Sequence, residues 1–527
     1  MCFMFSTSNV QTPRQASTPN RFYTDPLPWL IVLAVAHVVT RMAISHALMW
    51  DEAEQVLWTQ HLRWGYGAQP PLYTWLQWLV FHMLGPTILA LSLLKHALIV
   101  LACILMWLAG RQLLGPRSAW WAAASLLLLP VFGWNTLTDL THTVLVTAMT
   151  CGVWWLVLRI MRREGRGCQR EFVALGLVCG CGLLAKYNFV PMLAALVVAL
   201  VSVRATRRAL FGRGWWWAVL IAALMAVPHG VWVLSHWHLA TAVTFGKMDI
   251  AQHGWWEGLS NLVGALLALL GLWVIVALAT FRSSWWRQQP GTASDARPAP
   301  AAPDWLRPVF VRYLGVIGLM LLVMVFGVDI TVFKDRWLLP MFVPVPLMAF
   351  ALRPELETDA RGRWFTGVTL VIIALLLIAE GVQPWFSTIA KKSPNLFNQP
   401  AQQLAMALKS TGYDGQGRII AADSVLAGTL RMRFPDAPAQ TCMPELTDDV
   451  PGCVARGVQA AEHEGRGWLI ISRADHLKTD WWEQALSRIP GSEILPRGNL
   501  EIPYRMVRRG QPMAHYDFVW HPAQPSP

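Results

Sequence analysis

The sequence predicts an α-helical polytopic membrane protein that ends in a soluble α/β domain. Its 527 residues are 55% hydrophobic and 14% charged, whereas soluble domains carry about 25% charged residues. Several apolar runs approach 20 residues, the length that an α-helix needs to cross a bilayer. From residue 387 onward the apolar runs are short and alternate between strand and helix patterns, which is typical of an α/β domain.

The apolar runs predict about eleven spanning helices. They cover residues 27–48, 87–110, 118–133, 141–161, 171–185, 188–203, 215–235, 259–281, 309–328, 337–352 and 364–385. The segment 71–84 is short and lies between proline and glycine, which favours a helix along the membrane surface over a further span.

Arginine and lysine set the predicted orientation, because positively charged loops stay in the cytoplasm. Clusters such as RIMRREGRGCQR and RATRRALFGRG alternate with loops that carry few charges. We therefore expect a bacterial inner-membrane protein with a cytoplasmic N terminus and, after an odd number of spans, a periplasmic C-terminal domain. The same loop clusters explain the net charge of +12, so the basic balance does not indicate a nucleic-acid partner.

These assignments divide the chain into three parts and a loop. A cytoplasmic tail covers residues 1–26, a transmembrane domain covers 27–386 with a first outer loop at 49–86, and the periplasmic α/β domain covers 387–527. Of the eight cysteines, Cys442 and Cys453 are the pair in the soluble part. An oxidising compartment would favour a disulfide between them.

The predicted orientation gathers the conspicuous polar residues at the outer face. They are Asp51, Glu52, Gln69, Asp139, His142, Lys186, Tyr187, Asn188, His236, His238, Lys247, Asp249, His253, Asp329, Lys334, Asp335 and Arg336. A transport pathway would place ionisable groups near the middle of the membrane, where Lys95 and Glu380 are the main examples. The one-sided pattern favours a reaction between a lipid headgroup and an acceptor that arrives from outside.

The residue types suit transfer of a sugar from a polyprenyl phosphate. A carboxylate must take the proton of the acceptor, and Asp51 is the candidate base. Cations must stabilise the charge that develops on the phosphate, and Lys334 and Arg336 are the candidates. An apolar groove would hold the prenyl tail.

Each candidate has a structural alternative. Asp51 and Asp139 can cap helices, and the basic pair Lys334 and Arg336 can anchor the chain at the interface. A divalent metal held by Asp, Glu and His at this face is a further alternative, although no spacing is diagnostic of one. No cofactor is therefore assigned.

An ordered set of motifs carries a family resemblance. The motifs are WDEAEQ, AQPPLYTWL, TDLTHTVLV, LLAKYNFV, HWHLATAVTF and KDRWLLP, which run from residue 50 to about 340. The set resembles the membrane glycosyltransferases of the GT-C class, in the bacterial branch of the dolichyl-phosphate-mannose protein mannosyltransferase family. That branch includes the aminoarabinose transferase of lipid A and transferases that decorate lipopolysaccharide cores.

The resemblance implies roles for individual residues. Asp51 matches the catalytic aspartate of the first outer loop, with Glu52 as its neighbour, and Asp139 matches the second acidic position. The implied substrate-binding residues are Gln69, Lys186, His238, Lys334 and Arg336. Some members have lysine where this chain has Gln69, and many have tyrosine where it has Trp337, so the resemblance does not imply a particular donor sugar.

The sequence thus favours a glycosyltransferase that uses a polyprenyl-phosphate sugar donor and a lipid, polysaccharide or protein acceptor. Two other functions stay open at this point. A transporter or lipid flippase would need a polar path through the membrane, and a non-catalytic scaffold would tolerate replacement of the outer carboxylates.

Overall fold

Long apolar helices build the membrane part of the chain in a computed structural model. The structure describes residues 21–136, 139–166, 168–212, 214–241, 254–286, 302–358, 360–390, 395–444, 447, 449–474, 480–491, 495–506 and 513–523. Within these ranges seven helices are long and apolar enough to cross a membrane, or eight if one bent pair counts as a span. The predicted class, a mostly helical polytopic protein with a small C-terminal sheet, is confirmed.

The helices follow the predicted runs closely. They are α1 Arg21–Thr24, α2 Leu27–Ile44, α3 Trp50–Trp58, α4 Leu72–Leu84, α5 Ile88–Gly110, α6 Pro116–Ser125, α7 Thr141–Arg162, α8 Gln169–Leu183, α9 Phe189–Ser202, α10 Arg204–Leu210, α11 Trp215–Ser235, α12 Trp255–Trp286, α13 Leu306–Phe326, α14 Asp335–Phe342, α15 Val345–Ala351 and α16 Gly362–Ala390. In α7, 89% of the apolar stretch is buried, against 6% in α11. Helix α7 is therefore central in the bundle, whereas α11 lies at its margin.

Several predicted spans are short or broken in the structure. The number of about eleven spanning helices therefore stays a prediction. The run 118–133 begins as α6 and continues as a 3₁₀ turn, Leu126–Leu128, and a π-helix, Val131–Asn135. Pro344 separates α14 from α15, because proline has no N–H to continue the helical hydrogen bonds.

The C-terminal part forms a three-layer α/β unit. Its elements are α17 Ala401–Ser410, β1 Arg418–Ala421, α18 Ser424–Arg433, β2 Ala439–Thr441, α19 Val450–His463, β3 Trp468–Arg473, α20 Trp481–Leu486, β4 Gly498–Ile502 and β5 Ala514–His521. The strand order is β2-β1-β3-β5-β4, with β2, β1 and β3 parallel and β5 antiparallel to both neighbours.

Side chains along the central strands alternate between two cores, as the two-residue period of a strand requires. Ile419 and Leu469 pack with α17 and α18 on one face. Ile420 and Ile470 pack with α19 and α20 on the other face. The sequence-based strands and helices of this domain are therefore confirmed, and the sulfurs of Cys442 and Cys453 are bonded between β2 and α19.

A buried ion-pair network fixes the start of α3 to the membrane helices. The Glu52 carboxylate accepts hydrogen bonds from Arg41 of α2 at 2.6 Å and Lys95 of α5 at 3.3 Å, and from the Met49 N–H at 3.1 Å. All three charged side chains are at most 1% exposed. Burial alone would raise the pKa of Glu52, but the charges of Arg41 and Lys95 outweigh it and lower the pKa to about 2.

Replacing Glu52 should destabilise the protein strongly. In Glu52→Gln two buried cations lose their counterion, so we expect the free energy of unfolding to fall by about 3–5 kcal/mol. Because the pKa of Glu52 is lowered, its contribution is present above pH 4.5 and is lost as the pH falls toward 2. Thermal unfolding of the purified protein in detergent measures the loss.

The matched control for this prediction is Glu171→Gln. Glu171 also pairs with two cations, but Arg159 and Arg163 are 38% and 48% exposed, so the loss should stay near or below about 1 kcal/mol. Equal losses in the two variants would contradict a structural role for the Glu52 network.

Candidate functional site

A cavity of about 660 Å³ opens beside the start of α3. Its wall is made by Met49, Asn135, Asp139, Leu140, Ser260, Asn261, Gly264, Ala265, Ala268, Phe333, Lys334, Asp335 and Arg336. Asp139, Lys334 and Arg336, which the sequence predicts as site residues, therefore share one wall although they are far apart in the chain. The volume lies within the range of small-molecule and cofactor sites.

Asp139 of the cavity wall is hydrogen-bonded to a second aspartate, Asp51. The Asp51 backbone N–H donates to Asp139 Oδ1 at 2.8 Å. In return, Asp51 Oδ2 accepts from the Thr141 N–H at 2.9 Å and from the Thr141 hydroxyl at 3.4 Å. The other oxygen, Asp51 Oδ1, accepts no hydrogen bond from the described residues. The carboxylate is thus oriented through one oxygen while the second stays available.

A strained residue links the groups that hold Asp51. Leu140 lies between Asp139 and Thr141 with φ +63°, a left-handed conformation that a leucine rarely adopts. This turn directs the Asp139 carboxylate and the Thr141 N–H toward the same residue. Such strain is often found at functional sites.

Asp139 is held in its protonated form over an unusual pH range. Burial disfavours its charged form, and the nearby negative charge of Asp51 disfavours it further. Together they outweigh the hydrogen bond from the Asp51 N–H and raise the pKa of Asp139 to about 8. Near neutral pH the Asp139 carboxyl can therefore carry a proton beside Asp51.

The basic pair begins helix α14. Asp335 Oδ1 accepts from the Arg336 N–H at 2.7 Å, and Lys334 Nζ lies 5.7 Å from the centre of the Trp337 ring. Within the described ranges the Arg336 guanidinium donates to no protein group. A guanidinium in a cavity wall can bind a phosphate through two parallel hydrogen bonds.

The turn that carries Lys186 is bound to this basic segment. The Asn188 side-chain amide donates to the Arg336 and Trp337 carbonyls at 3.3 and 3.0 Å. Lys186 Nζ itself donates to the Thr143 hydroxyl at 2.8 Å. The structure therefore places a third cation on a turn that is attached to the basic pair.

His142 connects the same turn to α3. Its Nδ1 lies 3.2 Å from the Ala185 carbonyl oxygen, and its Nε2 lies 3.2 Å from Gln55 Nε2. Both ring nitrogens thus have protein partners. In the described ranges no group of three His, Cys, Asp or Glu side chains could hold a metal ion.

Five of the eight predicted site residues are not part of the cavity wall: Asp51, Glu52, Gln69, Lys186 and His238. Asp51 is connected to the wall through its hydrogen bond to Asp139. Glu52 is fully buried in the network with Arg41 and Lys95, and its catalytic role stays a prediction. Gln69 closes a tight turn with Tyr66, and its Oε1 is buried without a hydrogen-bond partner among the residues that the structure describes. His238 is exposed after α11. Lys247, Asp249 and His253 lie outside the described residues.

Sequence reasoning missed three neutral groups of the wall. Ser260 and Asn261 lie in α12, and Asn135 ends the π-helix before Asp139. The Asn261 side-chain amide donates to the Thr331 carbonyl at 2.9 Å, which attaches α12 to the segment before Lys334. The available signal was two adjacent polar residues at the outer end of the predicted span 259–281.

Comparison with known proteins gives the following similarities. A family model described as dolichyl-phosphate-mannose-protein mannosyltransferase matches residues 68–232. The chain is 29% identical over 505 residues to lipopolysaccharide core galacturonosyltransferase RgtA of Rhizobium johnstonii, covering 92% of this chain and 95% of the relative. It is 30% identical over 440 residues to RgtB of the same organism, covering 81% and 84%.

A solved structure has the same fold. The crystal structure of ArnT from Cupriavidus metallidurans bound to undecaprenyl phosphate aligns with a TM-score of 0.57 at 14% identity. The alignment covers 95% of this chain and 100% of that chain. At this identity the likeness concerns the arrangement of elements from the membrane helices through the C-terminal domain.

The pKa of Asp139 predicts a pH-dependent stability. The folded protein keeps this proton up to about pH 8, whereas an Asp in the unfolded chain loses it near pH 4. The stabilising contribution is therefore full below about pH 4 and is lost as the pH rises to about 8. In Asp139→Asn, which is neutral in both states, this part of the pH dependence should vanish.

Thermal unfolding of both proteins in detergent between pH 5 and pH 9 measures the effect. We expect the melting temperature of the wild type to fall relative to Asp139→Asn as the pH rises. Parallel pH curves for the two proteins would contradict a raised pKa at Asp139.

Proposed function

The chain belongs to the GT-C family of membrane glycosyltransferases, and on this premise we propose that it moves a sugar from a polyprenyl-phosphate donor to an acceptor of the bacterial envelope. We further propose that the reaction occurs at the periplasmic face of the inner membrane. The observation that carries the proposal is the shared wall of one cavity, where Asp139, bonded to Asp51, lies with Lys334 and Arg336. A proton acceptor and a phosphate site are thereby available together.

In the proposed reaction a hydroxyl oxygen of the acceptor attacks the anomeric carbon of the donor. The bond between that carbon and the phosphate oxygen breaks, and the lipid phosphate leaves with the bonding electrons. Asp51 takes the hydroxyl proton through Oδ1 while Thr141 holds Oδ2. Attack from the side opposite the phosphate inverts the anomeric centre.

The basic pair has the complementary role. Negative charge accumulates on the phosphate as its bond to the sugar breaks, and fixed cations stabilise that charge. Arg336 has its guanidinium unengaged by the described protein groups, so it can donate two hydrogen bonds to the phosphate. Lys334 adds a second positive charge in the same wall.

Asp139 orients the base. Its Oδ1 accepts from the Asp51 N–H, and protonation of the other oxygen leaves that hydrogen bond in place. A neutral Asp139 also avoids a second negative charge beside Asp51, which keeps the cavity favourable for an anionic donor.

Galacturonic acid is the sugar that we propose for the donor. RgtA and RgtB, which align with most of this chain, are named as lipopolysaccharide core galacturonosyltransferases. A uronic acid brings a carboxylate in addition to the phosphate, and the turn bound to the basic segment supplies a third cation, Lys186. The proposed acceptor is a sugar of the lipopolysaccharide core.

Asp51→Asn should abolish transfer without unfolding the protein. Loss of a general base lowers the rate about 10²–10⁴-fold, and asparagine keeps the size and planar shape of the side chain while its amide oxygen can still accept from the Thr141 N–H. Lipopolysaccharide from cells that carry the wild type or the variant, with the chromosomal gene deleted, can be compared by mass spectrometry. We expect the mass of one hexuronic acid residue to be present only with the wild type.

The control is Asp304→Asn, an exposed residue that precedes α13. It should leave the lipopolysaccharide mass unchanged at equal protein level. Retained sugar addition in Asp51→Asn would refute the proposed base, and loss of a sugar of another mass would refute galacturonic acid alone.

A further inference from the structure

Helix α18 of the C-terminal domain packs directly on α3, the short helix that carries Asp51. A Cβ atom at position 428 would lie 2.8 Å from Ala53 Cα and 2.9 Å from the Ala53 carbonyl oxygen. Carbon atoms repel one another strongly at such distances. Glycine is thus the residue that lets the two helices approach this closely, and the contact is two residues from Asp51.

A small apolar core surrounds this contact. Leu48, Ala53 and Val56 pack with Val425 of α18 and with the start of α5. Ala53 has no exposed surface, and Val425 is 3% exposed. The face of α3 that points away from the membrane helices is therefore covered by the C-terminal domain.

Gln60 makes a second attachment just after α3. Its Nε2 donates to the Ala439 carbonyl at 2.8 Å, and its Oε1 accepts from the Ala439 N–H at 2.9 Å. Ala439 begins β2, the edge strand of the sheet. The side-chain amide therefore occupies the place of a neighbouring strand and satisfies backbone groups of an open edge.

A third attachment precedes α3. The Ser45 hydroxyl donates to the Phe397 carbonyl at 2.6 Å, and the Arg41 guanidinium lies 5.2 Å from the centre of the Phe397 ring. The Arg505 guanidinium donates to the Ile44 carbonyl. The C-terminal domain thus contacts the chain before α3, after α3 and along α3 itself.

We propose that the C-terminal domain is a brace that sets the position of Asp51, with Gly428 as a positioning residue. This inference rests on the proposed function, which makes Asp51 the base. A nine-residue helix has little stability of its own in water, so tertiary contacts determine where α3 lies. Glu52 fixes α3 to the membrane helices. On the opposite side, the contact of Ala53 with Gly428 sets how closely α3 approaches the C-terminal domain.

The geometry at Asp51 is sensitive to small displacements. Its N–H must reach Asp139 and its Oδ2 must reach the Thr141 N–H, both at less than 3 Å. A side chain at position 428 would force α3 and α18 apart, because the atoms in its way are backbone atoms of Ala53. A misplacement of about 1 Å in a catalytic group can lower the rate about 10²-fold.

The test compares Gly428→Ala with Gly367→Ala. Both substitutions add one methyl group within a helix, but Gly367 lies on the exposed side of α16, where a Cβ would meet no atom within 4 Å. Full-length proteins in nanodiscs are assayed for transfer from a polyprenyl-phosphate sugar, and hydrogen exchange is followed in residues 50–58. We expect kcat to fall about tenfold or more in Gly428→Ala, with the donor KM unchanged and faster exchange in α3.

The control Gly367→Ala should match the wild type in kcat, KM and exchange. If Gly428→Ala does not fold, Gln60→Ala takes its place, because it removes the attachment to β2 without adding an atom. A wild-type kcat in a folded Gly428→Ala or Gln60→Ala protein would refute the proposed bracing role of the C-terminal domain, whatever the exchange rates are. Activity retained in Asp51→Asn would instead refute the proposed base. The hydrogen-exchange rates of α3 would then be the remaining test of whether the C-terminal domain positions this helix.

Discussion

The ion pairing of buried Glu52 with Arg41 and Lys95 is the interaction on which the candidate site depends. It ties α3 to two membrane helices, and it fixes the preceding residue, Asp51, where its N–H reaches Asp139 of the cavity wall. The same pairing accounts for three of the charges that lie deep in the bundle. Glu380, a fourth, lies 2.7 Å from His37. Charges matched inside the protein in this way stabilise a helix bundle and do not outline a polar path for a transported solute.

Three helix starts converge on the cavity. Asp51 lies in the first turn of α3, Thr141 begins α7, and Asp335 begins α14 between Lys334 and Arg336. The free N–H groups at a helix start carry partial positive charge, so their convergence favours an anionic ligand. One of these N–H groups already binds a carboxylate, because Thr141 donates to Asp51. Asn135, which ends the π-helix that interrupts one predicted span, lies in the same cavity wall.

Composition and short motifs predicted the fold class, the α/β domain and three residues that the structure brings into one cavity wall, Asp139, Lys334 and Arg336. Sequence adjacency could not show that Asp51 and Glu52 have different surroundings. Successive helical residues point about 100° apart, so Asp51 contacts Asp139 and Thr141 while Glu52 pairs with Arg41 and Lys95. Ser260 and Asn261 looked like the end of a span. Gly428 and Ala53 belong to no shared sequence motif or repeat, so only the tertiary structure reveals their contact.

If Arg336 binds the lipid phosphate and Asp51 acts as the base, binding of the lipid product distinguishes the two roles most directly. Affinity for sugar-free undecaprenyl phosphate can be measured in detergent for the wild type, Arg336→Ala and Asp51→Asn. The Arg336→Ala variant loses a charged hydrogen-bonding partner of the phosphate, so its affinity for undecaprenyl phosphate should fall about tenfold or more. The Asp51→Asn variant should bind this lipid with the affinity of the wild type. Equal affinity in Arg336→Ala and the wild type would contradict the account.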